Sequence, residues 1–246
     1  NGRGMEAPVA AALGKLDAFN LFDPFWMDPE YDIWYQMLNS GLDLPASTGT
    51  DWFVCSNNRV YVQLDEPFTY DRWIDGMVAG RTFITNGPAL FLDVADRGPG
   101  HRIILPGDGT VHARVSWQSH YPLNKVSLVQ DGRVIGEQLF PEGIRDGEWE
   151  TDVPVSSDGW IAARCSGTTR DSFDQAIYAH TSPVYLEAGR MNPLRADSAR
   201  SFTEAIDRSL EWVRRKGRFT KDEQRDRVVE LFLEGRGVYE RLQKGE

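Results

Sequence analysis

Apolar positions change their period twice along the 246 residues, and the changes divide the chain into three parts. In residues 1–85 short apolar runs alternate with segments of helical spacing. Leu16-Asp17-Ala18-Phe19-Asn20-Leu21-Phe22 reads as a buried strand closed by the turn signal Asp23-Pro24. Ile33, Trp34, Met37 and Leu38 predict a helix over 30–39, with Gly41 placed where a left-handed cap is expected. Leu44 to Asp51 reads as an extended run with a polar tip, Arg59 to Leu64 alternates as a strand, and Thr69 caps a helix that carries Trp73, Ile74, Met77 and Val78 and stops at Gly80. Strand, helix, strand, helix is the order of an α/β layer, here too short to close a barrel.

After Asn86-Gly87-Pro88 the period becomes two. Ala89–Val94, His101–Leu105, Val111–Trp117, Lys125–Gln130, Arg133–Gln138, Glu148–Val153, Gly159–Cys165 and Pro183–Glu187 are short runs separated by turn pairs such as Asp131-Gly132 and Asp158-Gly159. That spacing predicts an antiparallel β-sandwich of immunoglobulin-like type over 86–190. From Asp197 the helical period returns, with Phe202, Ile206, Leu210 and Val213 on one stripe, a break at Gly217, and a second stripe through Val228, Leu231, Phe232 and Tyr239. The expected architecture is therefore α+β in several parts: a partial α/β domain (1–85), the sandwich (86–190) and a C-terminal helical hairpin (191–246).

Composition narrows the function classes. Eight Trp, 8 Tyr and 12 Phe require a real core, which excludes a disordered chain. A net charge of -10 argues against a nucleic-acid partner read by a broad basic face. The one basic cluster, Arg214-Arg215-Lys216, suits a solvated helix end. The tail is expected to pack on the rest of the chain or to meet a second copy as a homo-oligomer. No apolar run reaches the ~20 residues of a helical membrane span. Cys55 and Cys165 stand too far apart for a disulfide framework or a zinc ribbon and read as two buried free thiols. Asn1-Gly2-Arg3-Gly4 shows neither an initiator Met nor a charged-then-apolar leader, as expected of a stretch cut from a longer protein, and is compatible with export.

Candidate chemistry is sparse. His101, His112, His120 and His180 show no ligand spacing among themselves, so each reads as a structural or surface residue. Asp51 ends the run Ser47-Thr48-Gly49-Thr50, where an α/β fold places active-site carboxylates; it reads either as a metal ligand or as a turn residue bonding its own backbone. Asn20 and Asp23 hold the corresponding end of the preceding run. Phe22, Phe25, Trp26, Tyr31, Trp34, Tyr35, Trp52 and Phe53 are dense enough to line a small-molecule pocket or to pack a core. Trp117, Trp149 and Trp160, if exposed, would offer a sugar-binding face.

Several strings together resemble the late part of the catalytic domain in CehA/McbA-like metallohydrolases of the PHP (polymerase and histidinol phosphatase) superfamily. They are Leu13–Ala18, Trp34–Gly41, Leu44–Trp52, Gly80–Pro88, Ser119–Leu123, Gly159–Arg164 and Ala179–Tyr185, spread over most of residues 1–190. The resemblance implies a distorted (β/α)7 barrel with an appended β-sandwich, a cluster of divalent ions (Zn, Mn or Fe), and hydrolysis of phosphoester or related ester bonds in a small-molecule substrate. Asp51 matches the Asp of the family's late Asp-x-His ligand pair, but Phe53 stands in the position of the His, and a phenyl ring coordinates nothing. The early His-x-His would lie upstream of Asn1. The resemblance therefore implies a weak or absent metal centre in this chain, and either the inactive late part of a hydrolase or a non-catalytic relative that binds ligands or proteins through its sandwich.

Overall fold

The computed structural model describes residues 6–21, 29–49 and 56–245. The chain is α+β, with five helices and eleven strands among these residues, and it divides into two units. The larger comprises residues 18–35 and 45–190; the smaller comprises 1–17, 36–44 and 191–246.

The larger unit is dominated by one nine-stranded sheet. Its strands are β3 (Arg59–Val62), β4 (Thr82–Thr85), β5 (Ala89–Val94), β6 (Arg102–Ile104), β7 (Gly109–Gln130), β8 (Arg133–Val155), β9 (Gly159–Arg170), β10 (Ala176–Thr181) and β11 (Val184–Glu187). A continuous path runs β3-β4-β10-β9-β11-β6, while β7 pairs with β5, β8 and β9 and β8 pairs with β7 alone. Every pairing is antiparallel except that of β6 with β11. Inward side chains of β5, β7, β8, β9, β10 and β11 share one core, centred on Leu90, Val115, Leu128, Ile161, Ile177 and Val184. The expected boundary at residue 85 thus falls between two strands, β4 and β5, of a single sheet.

Four runs expected as separate strands are two long ones. Val111–Trp117 and Lys125–Gln130 both belong to β7, and Arg133–Gln138 and Glu148–Val153 both belong to β8. Alternation lapses between them because the two strands bend together, with the register shifting between Gln118 and Lys125. Pro122 and Gly143 meet at the bend: Gly143 has φ +77°, and a Cβ there would lie 2.6 Å from that of Pro122, so only glycine fits. The hairpin itself turns on Asp131 (φ 53°) and Gly132 (φ 84°), the paired positive angles of a type I′ turn that Asp-Gly supplies. Asp158-Gly159, by contrast, turns no hairpin, since β8 and β9 do not pair; the Asp158 carboxylate accepts from the amides of Ala188 and Gly189 instead.

Two strands escape period-two reading. Five of the six residues of β10 are buried, which erases the alternation of a half-exposed strand, and β4 buries Thr82 and Thr85 as fully as Ile84. The run expected as a strand over 16–22 contributes only β1 (Phe19–Asn20), which pairs in parallel with β2 (Ala46–Ser47). Helix α3 (Tyr70–Val78) begins as predicted, with the Thr69 hydroxyl accepting from the Arg72 amide at 3.3 Å. Helix α2 (Pro29–Asn39) starts in the larger unit and ends in the smaller.

A buried polar seam ties the 44–48 segment to the sheet. The Ser182 hydroxyl accepts from the Ala46 amide (2.9 Å) and shares a hydrogen bond with the Thr82 hydroxyl (2.6 Å), while the Thr82 carbonyl accepts from the Ser182 amide (2.8 Å). Beside it, the Asn86 side chain accepts from the Tyr178 amide and donates to the Ala176 carbonyl, and Thr85 donates to the Tyr178 carbonyl. Ser182 and Ala46 are wholly buried.

The smaller unit contains α1 (Ala7–Ala12), α4 (Arg195–Lys216) and α5 (Asp222–Lys244). Phe202, Ile206, Leu210 and Val213 are buried as their stripe predicts, and Phe202 stacks on Tyr239 at 4.9 Å. Leu231, expected on the second stripe, is 42% exposed; the inward positions are Phe232, Gly235 and Tyr239. Gly235 leaves room for Val9 of α1, and the Tyr239 hydroxyl donates to the Pro8 carbonyl at 2.9 Å. The alanine-rich start of the chain is thus a third helix, which its small residues do not announce. Among the described residues, no helix is long and apolar enough to cross a membrane.

Ser182→Ala leaves the buried Ala46 amide without its acceptor and should lower the unfolding free energy by about 1–3 kcal/mol, measured by urea denaturation. Leu139→Ser, at a position 65% exposed, should leave the same midpoint nearly unchanged.

Candidate functional site

Helix α2 and strands β9 and β10 bring an aromatic cluster around His180. Trp34 meets the imidazole edge-on at 5.2 Å, Tyr31 lies 5.1 Å from it, and Tyr35 packs on Trp160 at 4.9 Å. His180, Trp34 and Trp160 are all within 1% of complete burial. Of the aromatic residues singled out in the sequence, Tyr31, Trp34 and Tyr35 therefore converge. Phe22, Phe25, Trp26, Trp52 and Phe53 lie outside the described residues, as do Asp23, Asp51 and Cys55. Asn20 is exposed at the end of β1.

Hydrogen bonding fixes the states of His180 and Tyr35. His180 Nδ1 lies 2.7 Å from the Thr181 carbonyl, which can only accept, so Nδ1 carries the proton and Nε2 offers a lone pair. The Tyr35 hydroxyl, 2.6 Å away, donates to Nε2. Arg164 stands beside this pair, its guanidinium 5.9 Å from the centre of the Tyr31 ring. Burial drives His180 down to about 3, the Thr181 hydrogen bond opposing and Arg164 adding to the shift. Burial likewise raises Tyr35 to about 12 against the pull of Arg164, and raises Tyr31 well above its ordinary value. Around neutral pH the cluster is an uncharged stack beneath one permanent cation.

That cation looks into a cleft of about 380 Å³ bordered by Tyr31, Lys125, Ser127, Arg164, Gln175 and Tyr178. Strands β7, β9 and β10 supply the walls, and their register places Ser127 opposite Arg164 and Tyr178 opposite Ser166. Lys125 stands 3.7 Å from Glu137, which also accepts from the Ser127 hydroxyl at 3.0 Å. Cys165 borders the same cleft, but burial raises its thiol to about 12, so it stays protonated and is no nucleophile. What the cleft offers a ligand is the Arg164 guanidinium, hydroxyls and an aromatic wall, with Lys125 already paired with Glu137, a set suited to a small anion.

The other histidines do not join it. His101 Nδ1 is 3.0 Å from the Gly98 carbonyl, His120 meets the edge of Tyr121, and His112 sits between Asp152 (3.1 Å) and Glu150 (3.7 Å) at the surface. Among the described residues, no three His, Cys, Asp or Glu side chains converge as a metal site would require. By themselves the described residues do not fit the divalent-ion cluster that the resemblance implies. Trp117 and Trp160 are buried and Trp149 packs against the core, so these three offer no sugar-binding face. Arg214 and Arg215 are exposed in the last turn of α4, where Arg215 pairs with Glu211 at 3.0 Å.

Arg164 leaves a signal in the sequence. It is the one charged side chain in the apolar run Gly159 to Cys165, and a lone arginine in a central strand needs partners or a ligand. Lys125, Gln175 and Tyr178 leave none, because they are gathered by the pairing of β9 with β7 and β10, which local sequence does not show. The chain matches no protein-family model and no curated protein.

His180 makes stability pH-dependent. Its value in the fold lies below the ~6.5 of an unfolded histidine, so as pH falls the unfolded chain takes up the proton first. Its contribution is complete above about pH 6.5 and is lost progressively toward pH 3, by at most about 5 kcal/mol over the whole window. Urea midpoints from pH 4 to 7 should fall more steeply for the wild type than for His180→Gln, and parallel curves would refute the assignment.

Proposed function

We propose that this chain is the late, substrate-holding part of a metal-dependent hydrolase of the PHP type, with a truncated α/β segment followed by an immunoglobulin-like β-sandwich, and that its cleft holds the anionic group of a phosphoester or related ester. The observation that carries the reading is Arg164: its guanidinium lines the cleft beside the Tyr31 ring, next to the buried Tyr35–His180 hydrogen bond. A guanidinium at a cleft wall has a planar fork of donors for an oxyanion, whereas the charge of Lys125 is already paired with Glu137. The resemblance lends independent support. Trp34-Tyr35, Trp160 to Arg164 and His180 come from three of the strings that carry it, and they meet in this one cluster. The Ala46, Thr82 and Ser182 seam joins members of three strings as well.

In the hydrolase reading a divalent metal would supply the activated water, and the residues described here bind and orient the substrate. Phe53, standing where the resemblance places a histidine, favours a second reading, a relative that binds the same anions without turning them over.

Isothermal titration with phenyl phosphate separates the outcomes. The chain should bind it, and Arg164→Met should weaken binding at least tenfold, the loss expected for a charge-assisted hydrogen bond of about 1.5–3 kcal/mol. Equal affinity in the variant would sink the assignment of the cleft. The chain should not hydrolyse p-nitrophenyl phosphate in the presence of Mn²⁺ or Zn²⁺, and clear turnover would sink the reading of an incomplete metal centre.

A further inference from the structure

We propose that the outer face of β3, β4 and β5, away from the cleft, carries a binding groove for a neutral oligosaccharide. Three aromatic rings form a row there. Tyr61 and Phe83 are directly opposed on β3 and β4, with ring centres 5.0 Å apart and planes within 10°, and Phe91 of β5 meets Phe83 at 5.7 Å and 68°. Tyr61 is 53% exposed and Phe91 49%. Helix α3 does not cover the row: its Gly76 packs on Val62 and Leu64, the residues that alternate with Tyr61 and point the other way.

The row lines a cavity of about 400 Å³ with Gln63 and Arg81 at its margin. A second cavity, of about 700 Å³, shares Gln63 and Phe91 with the first and continues past Asp65, Asp93, Arg114 and Glu148. The two cavities adjoin at these shared residues, which gives the groove an aromatic end and a polar end.

Each end excludes a class of ligand. A wholly apolar occupant would strip water from the carboxylates and guanidinium of the polar end without replacing their hydrogen bonds. A polyanion, whether nucleic acid, sulfated glycan or polyuronate, would meet four carboxylates, Asp65, Asp93, Asp96 and Glu148, against three guanidinium groups, Arg81, Arg97 and Arg114, the first of them already 3.9 Å from Asp65. A small polar ligand would leave the aromatic row wet. A chain of neutral pyranose units satisfies both ends: the C–H face of a sugar packs on an aromatic ring, and its rim of hydroxyls needs both donors and acceptors, which the amide of Gln63, the carboxylates and Arg114 provide. Tyr61 and Phe83 stand on paired strands and Phe91 on a strand held by β7, so the rings are in place before the ligand arrives.

Affinity electrophoresis in native gels cast with neutral polysaccharides (a mixed-linkage β-glucan, xylan, galactomannan and amylose) tests this, with heparin and polygalacturonate as anionic counterparts. At least one neutral polymer should retard the full chain. Tyr61→Ala and Phe91→Ala should each weaken that retardation at least tenfold, Phe91→Tyr should retain it, and Phe68→Ala, at an exposed ring outside the row, should leave it unchanged. Should Tyr61→Ala fail to fold, Phe91→Ala and Arg114→Gln carry the comparison. Retardation by no neutral polymer, retardation by the anionic polymers alone, or equal retardation of the ring-deleted variants would each overturn the proposal.

Discussion

The hydrogen bonds among Thr82, Ser182 and Ala46 are the constraint on which the larger unit depends. They are made in the dry interior, where an amide or hydroxyl without a partner costs more than the bond itself contributes. The segment carrying β2 can dock on the sheet in one register alone, the one that satisfies the Ala46 amide. Apolar packing would tolerate a slip; a buried donor does not. The same logic governs Asn86, whose side chain pairs with backbone groups at both ends of the Ala176–Tyr178 stretch and so sets where β10 begins.

The cluster under the cleft applies this rule to charge. Burying a histidine, two tyrosines and an arginine together would be costly if more than one of them were ionised. The direction of the hydrogen bonds prevents it: from Tyr35 to His180, and from His180 to the Thr181 carbonyl, each donor has one acceptor and no proton is in dispute. The outcome is a rigid neutral support for a single guanidinium. Such a support suits recognition better than proton transfer, because a base whose affinity for protons has been reduced this far accepts none from a substrate at neutral pH.

What could be read in the sequence follows from which residues face water. The Asp131-Gly132 hairpin, the Thr69 cap and the Phe202 to Val213 stripe were legible because each is a local pattern with one structural solution. β10 was not legible, because burial on both faces removes the contrast between its odd and even residues. The lengths of β7 and β8 were hidden by the bend at Pro122 and Gly143, where a strand continues through residues that look like a loop. The aromatic segment was correctly marked as dense, and Tyr31, Trp34 and Tyr35 do gather. The cation they support was missed because spacing along the chain carries no record of which strands will become neighbours.

Strand β8 pairs with β7 and, among the described residues, with nothing else, so its outer edge presents a long row of backbone donors and acceptors. An edge of that length is a template for another chain. Along its second half, Asp146, Glu148, Glu150 and Asp152 recur at every other residue, all exposed on one face. Two copies meeting edge to edge in antiparallel register would bring these carboxylates together with no cations interleaved, and the repulsion would oppose self-association. The acidity of the chain is in this respect a local safeguard against aggregation, effective only while those carboxylates remain ionised.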